Sequence, residues 1–287
     1  MKTPFDSSTA LVTGGASGIG RALCEELLRR GAEVWLTDVD AEAAAAAARA
    51  LGGGCRHARL DVRDAQAFRE LVHEVAASGG LGFLFNNAGI GVGGEAHQLG
   101  VEHYDRVIDV NVRGVTNGVA AAYPLMVEQG SGHIVNTASA SGLVPVPLLA
   151  PYAMSKHAVV GLSTSLSFEA ERHGVGVHAL CPGPIETPLL DSLGPGDLPE
   201  VWRPDVRAYL ELLAGRPISA GDLARQALDA VARGRRLIVL PRSTRVAAVV
   251  ARLLPGLVHA RIRSALRRQL SQREAEPARP SPGSSGL

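Results

Sequence analysis

The chain has 287 residues, 46% hydrophobic and 20% charged, which allows one large buried core and argues against a disordered or fibrous chain. Formal net charge is +1, yet residues 235–287 carry eleven arginines against two acids, while the residues before them carry 18 basic and 26 acidic side chains; the body is acidic, the C-terminal end is basic, and no nucleic-acid partner is expected. Cys24, Cys55 and Cys181 fall at no metal-ligand spacing and suit free thiols in a reducing, cytoplasmic compartment, with no leader pattern and no apolar run near the ~18 residues of a membrane span.

Ala10-Leu11-Val12 reads as a short buried strand, followed by the loop Thr13–Gly20 and a helix over Arg21–Arg30 that ends at Gly31. Strand, glycine loop and helix in this order aim backbone N–H groups and a helix N-terminus at a phosphate. Glycines 14, 18 and 20 let the backbone turn tightly and approach a ligand; an ordinary glycine-rich turn is the competing reading. Glu33–Thr37 reads as a second strand that ends at Asp38, 18 residues beyond Gly20. A carboxylate there accepts hydrogen bonds from an adenosine ribose and repels a 2′-phosphate, which favours NAD over NADP. The alternative is that Asp38 only caps the Ala-rich helix Ala41–Leu51.

Further strands are expected at Cys55–Leu60, Leu81–Phe85, His133–Thr137, Val175–Leu180 and Leu237–Leu240, and helices at Ala65–Ala77, Val101–Met126 and Tyr152–Arg172. This alternation predicts an α/β fold, a Rossmann-like doubly wound parallel sheet with helices on both faces, whose ligands bind beyond the carboxyl ends of the strands. Tyr152 and Lys156 stand four apart at the start of a helix, so phenol and ammonium share one face. Lys156 is one of only two lysines, Lys2 being the other, in a chain otherwise committed to arginine. A buried lysine can shift its pKa and tune a neighbour, as arginine cannot.

The loop Leu143–Leu149 is wholly apolar and holds Pro145 and Pro147; it either lines an apolar substrate pocket or packs on its own core. Residues 188–216 read as a lid, with Leu190, Leu193, Trp202, Tyr209 and Leu213 as candidate walls. The main domain is placed at 1–242 and a helical extension at 243–273. There Leu254, Val258, Ile262, Leu266 and Leu270 recur at i+4, with Arg261, Arg263, Arg267 and Arg268 mostly off the stripe, an amphipathic basic helix. Its stripe has three destinations: this domain near the lid, a second subunit, or an anionic membrane surface. Residues 274–287, rich in Pro, Ser, Gly and charge, are expected to be disordered.

Taken together, the ordered motifs resemble the short-chain dehydrogenase/reductase family, single-domain type, over roughly Ser8–Thr187. Thr13–Gly20 fits TGxxxGxG, Asn86-Asn87-Ala88-Gly89 fits NNAG, Tyr152 and Lys156 fit YxxxK, and Pro182–Thr187 fits a PG segment at the nicotinamide. The resemblance implies an NAD(H)-dependent oxidoreductase that interconverts a secondary alcohol and a ketone on an apolar small molecule, with Asn111, Ser139, Tyr152 and Lys156 catalytic. In this reading Tyr152 exchanges the proton, and Lys156 with the oxidised nicotinamide lowers its pKa from the usual ~10. Lys156 also bonds the nicotinamide ribose, Ser139 holds the substrate oxygen, and Asn111 kinks its helix and keeps a water that relays protons to Lys156.

Cofactor contacts are carried over to Gly14, Ala16, Ser17, Gly18, Ile19 and Gly20 in the loop, and to Asp38. Asp61 and Val62 fall at the adenine; Asn87, Ala88, Gly89, Tyr152 and Lys156 follow, and then Pro182, Gly183, Ile185 and Thr187 at the carboxamide end. The family resemblance also implies a homo-oligomer. The glycine-rich closing segment that many members use at a tetramer interface is missing here, which leaves a dimer through other helices open. The competing function is a non-catalytic nucleotide-binding or membrane-associated scaffold, for which the catalytic set would have to be idle.

Overall fold

A computed structural model describes residues 4–191, 194 and 196–275. Leu193 and most of the 274–287 tail lie outside the described residues. Seven strands form one sheet: β1 (Thr9–Thr13), β2 (Glu33–Asp38), β3 (Cys55–Arg59), β4 (Phe83–Asn86), β5 (Gly132–Thr137), β6 (Val175–Pro182) and β9 (Leu237–Leu240). Their order is β3-β2-β1-β4-β5-β6-β9, every pairing parallel. The chain runs outward from β1 to β3 and then crosses back to β4 on the other side of β1. That reversal makes the crevice beyond the carboxyl ends of β1 and β4 the natural ligand site.

Central strands read as apolar runs because both faces are covered; all five residues of β1 and all four of β4 are buried. The edge strand β3, Cys-Arg-His-Ala-Arg, is mostly exposed, which suits an edge that must not pair further. One face is covered by α1 (Gly18–Arg29), α2 (Ala41–Leu51) and α8 (Ala220–Ala232), through Leu23, Leu27, Ala44, Leu223 and Leu228. The other face is covered by α3 (Ala65–Ala77), α5 (Gly114–Gln129) and α6 (Ala150–Glu171), through Phe68, Val72, Ala122, Met126 and Ala170. The sheet is therefore doubly wound as expected, with strand ends shifted by a residue or two.

The long helix expected from Val101 is interrupted. After α4 (Val101–Val107), residues Ile108–Arg113 form a π-helical turn before α5. Such a turn inserts a residue into the helical ladder and bends it, and Asn111 sits inside it, completely buried.

The lid region holds a 3₁₀ turn, Pro188–Leu190, and α7 (Val206–Ala214), and a small parallel pair, β7 (Ile185–Glu186) with β8 (Ile218–Ser219), anchors both of its ends. Arg207 of α7 bonds Glu186 at 2.7 and 2.8 Å and Asp191 at 2.9 Å, clamping the lid helix to the segment after β6. The extension forms α9 (Arg242–Leu253) and α10 (Pro255–Ala275). Ile262, Ala265 and Gln269 of α10 are buried, and Ala265 joins Val206, Tyr209 and Leu190 in one apolar cluster. Of the three destinations for the α10 stripe, packing on this domain beside the lid is the one observed, although Leu254 stays exposed. No described helix is long and apolar enough to cross a membrane.

Candidate active site

Two cavities meet at the carboxyl ends of the central strands. The first, about 560 Å³, follows the glycine loop and is lined by Gly14, Ser17, Gly18, Ile19 and Asp38, then Asp61, Val62, Asn87, Ala88 and Gly89, and at its far end Tyr152, Lys156, Pro182 and Thr187. Gly14 has φ +64°, and a Cβ there would stand 2.9 Å from the Ala88 backbone. A Cβ on Gly20 would strike the Gly14 carbonyl. Gly20 thus serves the close packing of α1 under the loop rather than touching the cavity.

Thr13 staples loop to strand end: its Oγ1 accepts from the Asn87 and Ala88 N–H groups, both at 3.0 Å. Asn87 Nδ2 donates to the Thr13 carbonyl at 3.1 Å. Asp38 accepts from Ala16 N–H at 3.2 Å and Asp40 N–H at 3.3 Å, so its carboxylate is held at the cavity wall while Ala16 acts through it. The cap of α2 is Asp40, bonded to Ala43 N–H at 2.9 Å; the reading of Asp38 as that cap is excluded. Asp61 is paired with Arg63 at 2.6 Å, which holds its carboxyl below the usual range.

The reacting end is built by β5, α6 and the π turn. Lys156 is buried and its Nζ donates to the Thr137 carbonyl at 2.8 Å. Burial disfavours its charge and lowers its pKa to about 8. Tyr152 is half-buried, with Nζ 5.6 Å from its ring centroid. Burial raises the phenol above its ordinary value, and a hydrogen bond with Ser139 acts in the opposite direction. The Lys156 ammonium is directed at the Thr137 carbonyl, and among protein groups alone the phenol is governed by desolvation.

Ser139 is buried at the mouth of the 3₁₀ turn Ala140–Gly142, its Oγ accepting from Ser141 N–H at 3.1 Å. Asn111 lines neither cavity. Its Nδ2 donates to the Ile90 carbonyl at 2.9 Å and to Ser155 Oγ at 3.0 Å, and its Oδ1 accepts from Ile90 N–H at 2.9 Å. Both amide donors are spent on protein, so the side chain braces the segment after Gly89 against α6 and has no donor free for a water. Ser155 in turn donates to the Tyr152 carbonyl at 2.7 Å.

Thr13, Ser155 and Cys181 are the neighbours that sequence reasoning missed. Thr13 and Ser155 lie inside the quoted motifs but at positions whose role depends on where the chain folds back. Cys181 lies under the site, its thiol pushed up to about 12 by burial, which keeps it inert.

The second cavity, about 520 Å³, is bordered at its polar end by Ser139 and Tyr152 and is otherwise dominated by apolar side chains. Ile19, Tyr152, Pro182 and Thr187 border both cavities. From the apolar loop, Val144, Pro145, Val146 and Leu149 face it, while Leu143, Pro147 and Leu148 do not. From the lid, Leu190 and Leu213 face it; Tyr209 is core, and Trp202 lies under the Arg273 guanidinium. Gly183 and Ile185 lie on this side rather than in the first cavity. Its outer wall, unforeseen, comes from the extension: Val246 and Val250 of α9, Val258 and Ile262 of α10. Residues on both sides of position 242 therefore line one pocket.

The short chain dehydrogenase family model matches residues 8–197. A 2,5-dichloro-2,5-cyclohexadiene-1,4-diol dehydrogenase from Sphingobium indicum is 41% identical over 189 residues, 65% of this chain and 76% of that protein. A putative oxidoreductase, SadH, from Mycobacterium tuberculosis is 33% identical over 260 residues, 87% of this chain and 92% of its own. Among solved structures, a short chain dehydrogenase/reductase from Burkholderia phymatum in complex with NAD superposes with TM-score 0.75 at 32% identity, covering 96% of this chain and 98% of that one.

Proposed function

The chain belongs to the short chain dehydrogenase family, oxidoreductases that interconvert alcohols and ketones with a nicotinamide cofactor, and on that premise we propose that it uses NAD(H) on an apolar secondary alcohol or ketone. The observation that carries this reading is the place of Tyr152, on the wall shared by a cavity shaped by the glycine loop and an apolar cavity of similar size.

The residues present fit the cofactor. The first cavity runs from the loop N–H groups, suited to a pyrophosphate, to Tyr152 and Lys156. The Asp38 carboxylate, already oriented by Ala16 and Asp40, has lone pairs left for ribose hydroxyls and repels a 2′-phosphate. A bound nicotinamide supplies the hydride acceptor, or the donor in the reverse direction. Tyr152 handles the accompanying proton at the substrate oxygen: raised in pKa by burial, it is a neutral phenol near neutrality and carries the proton that a ketone must receive. Ser139 hydrogen-bonds the same oxygen and sets it in line. Lys156 offers its charge as the phenolate forms. Both Asn111 amide donors are engaged, so a relaying water there would donate to an Asn111 oxygen rather than accept from its side chain.

The apolar second cavity supports a hydrophobic substrate, since a buried apolar wall gains by expelling water and would leave a charged substrate unsatisfied. Turnover of a panel of hydrophobic ketones and secondary alcohols, with NADH and NADPH compared, is the test. The expected result is turnover with kcat/KM higher for NADH. NADPH preferred would overturn the Asp38 argument; NADH binding without turnover of any panel member would overturn the catalytic reading.

A further inference from the structure

The catalytic reading leaves one surface unexplained. On α9, Val246, Val249 and Leu253 recur at i, i+3 and i+7 and so share a face; they are 62%, 51% and 71% exposed. Leu254 and Leu257, at the turn into α10, are 58% and 65% exposed. Other large exposed apolar side chains are scattered through the described residues, whereas these five fall within twelve consecutive positions. A concentrated patch of that kind marks an interaction surface. Arg242, Arg245 and Arg252 are exposed on the same helix, at i−7, i−4 and i+3 from Val249, forming a basic row beside the apolar one.

The cavity reaches this surface. Val246 and Leu257 are largely exposed yet line the apolar cavity whose other end is Tyr152. The gap between α9 and α10 is therefore a mouth, and its rim is the patch.

Charge decides what covers it. Residues 242–271 contain seven arginines and no acid. A second copy laid on the same face would bring like charges together and supply none of the opposite sign. The chain's own residues 276–287 offer only Ala278 and Leu287 as apolar side chains besides proline, too little to cover five. An anionic bilayer supplies both parts: negative headgroups for the arginine row and hydrocarbon for the leucines.

We propose that the α9–α10 hairpin docks on an anionic lipid surface, with the cavity mouth facing the bilayer, so that an alcohol or ketone dissolved in lipid reaches Tyr152 without crossing water. The substrate half rests on the catalytic reading above; the docking half does not.

Full-length protein is sedimented with phosphatidylglycerol/phosphatidylcholine vesicles and with phosphatidylcholine alone, beside two double variants, Val249→Asp with Leu253→Asp and Arg245→Glu with Arg252→Glu. None of these four side chains lines either cavity, so NADH binding serves as the folding control. The expected result is at least about ten-fold stronger partition onto the anionic vesicles, lost in both variants and weakened by salt. Equal partition onto both vesicles, no partition, or variants that bind like the parent would overturn the proposal. So would a parent that light scattering finds dimeric, with both variants monomeric and vesicles ignored, which would assign the patch to a second copy. Vesicle binding is read without turnover, so Tyr152→Phe protein that binds vesicles but is inactive separates failure of docking from failure of the catalytic reading.

Discussion

Tyr152 and Lys156 are shifted by burial in opposite directions. In water a phenol and an ammonium titrate near 10 and 10.4. Here burial drives them apart, the phenol upward and the ammonium down to about 8. The consequence is a pH profile with a definite sign. In the proposed mechanism ketone reduction needs the neutral phenol, which burial favours, and the Lys156 charge, present below its folded pKa. We therefore expect kcat/KM for reduction to be level at neutral pH and to fall as pH rises through about 8. A rise through that range would mean that Tyr152 must ionise first. Asp38 was legible from the sequence as a carboxylate ending a strand. That Asp40 takes the capping role and frees Asp38 for the cavity was not, because both aspartates stand at positions from which a cap can form.

Among the elements, β5 and β6 carry a buried pair with a measurable cost. His178 Nδ1 donates to the Arg235 carbonyl at 2.8 Å, so its Nε2 is the acceptor facing His133 Nδ1 at 3.0 Å. His178 is thereby neutral, and burial lowers both pKa values, His133 to about 4, which keeps His133 neutral as well near pH 7. A histidine with a depressed folded pKa leaves the unfolded chain binding more protons between its folded and unfolded values. Stability is thus full above about 6.5 and is lost as pH falls toward 4, on the order of 3 kcal/mol from His133. Denaturant melts of His133→Gln should lose that part of the acid sensitivity; an unchanged slope would refute the neutral pair. Alternating strands and helices were readable because buried parallel strands must be apolar and their helices amphipathic. The π turn at Asn111 left no mark in the periodicity, since it inserts a single residue; only the motif resemblance pointed to a kink there. The inward face of α10 was half-readable: the i+4 stripe marked an apolar face, but its partners Val206 and Tyr209 lie some fifty residues earlier in the chain.

For the whole molecule, the sheet, lid and extension form two cavities that share a wall containing Tyr152, and ligand binding should register as global stability. A cofactor bound only by the folded chain at about 100 times its Kd adds about 2.7 kcal/mol, which in a domain of this size raises Tm by about 5–10 °C. NADH should give that rise and NADPH a smaller one; equal shifts would remove Asp38 as a discriminator. The acidic body and basic extension were plain from the sequence. That the extension lines the apolar cavity was hidden, because nothing in residues 243–273 names the loop and lid they face.

The most direct test of the central claim is kcat/KM for a hydrophobic ketone in the parent and in Tyr152→Phe, with NADH affinity measured on the same preparations. Loss of the phenol proton with the ring retained should lower kcat/KM by about a thousand-fold while NADH binds with nearly unchanged Kd. A Tyr152→Phe enzyme that binds NADH and still turns over within about three-fold of the parent would contradict the assignment of Tyr152 as the proton donor where the two cavities meet.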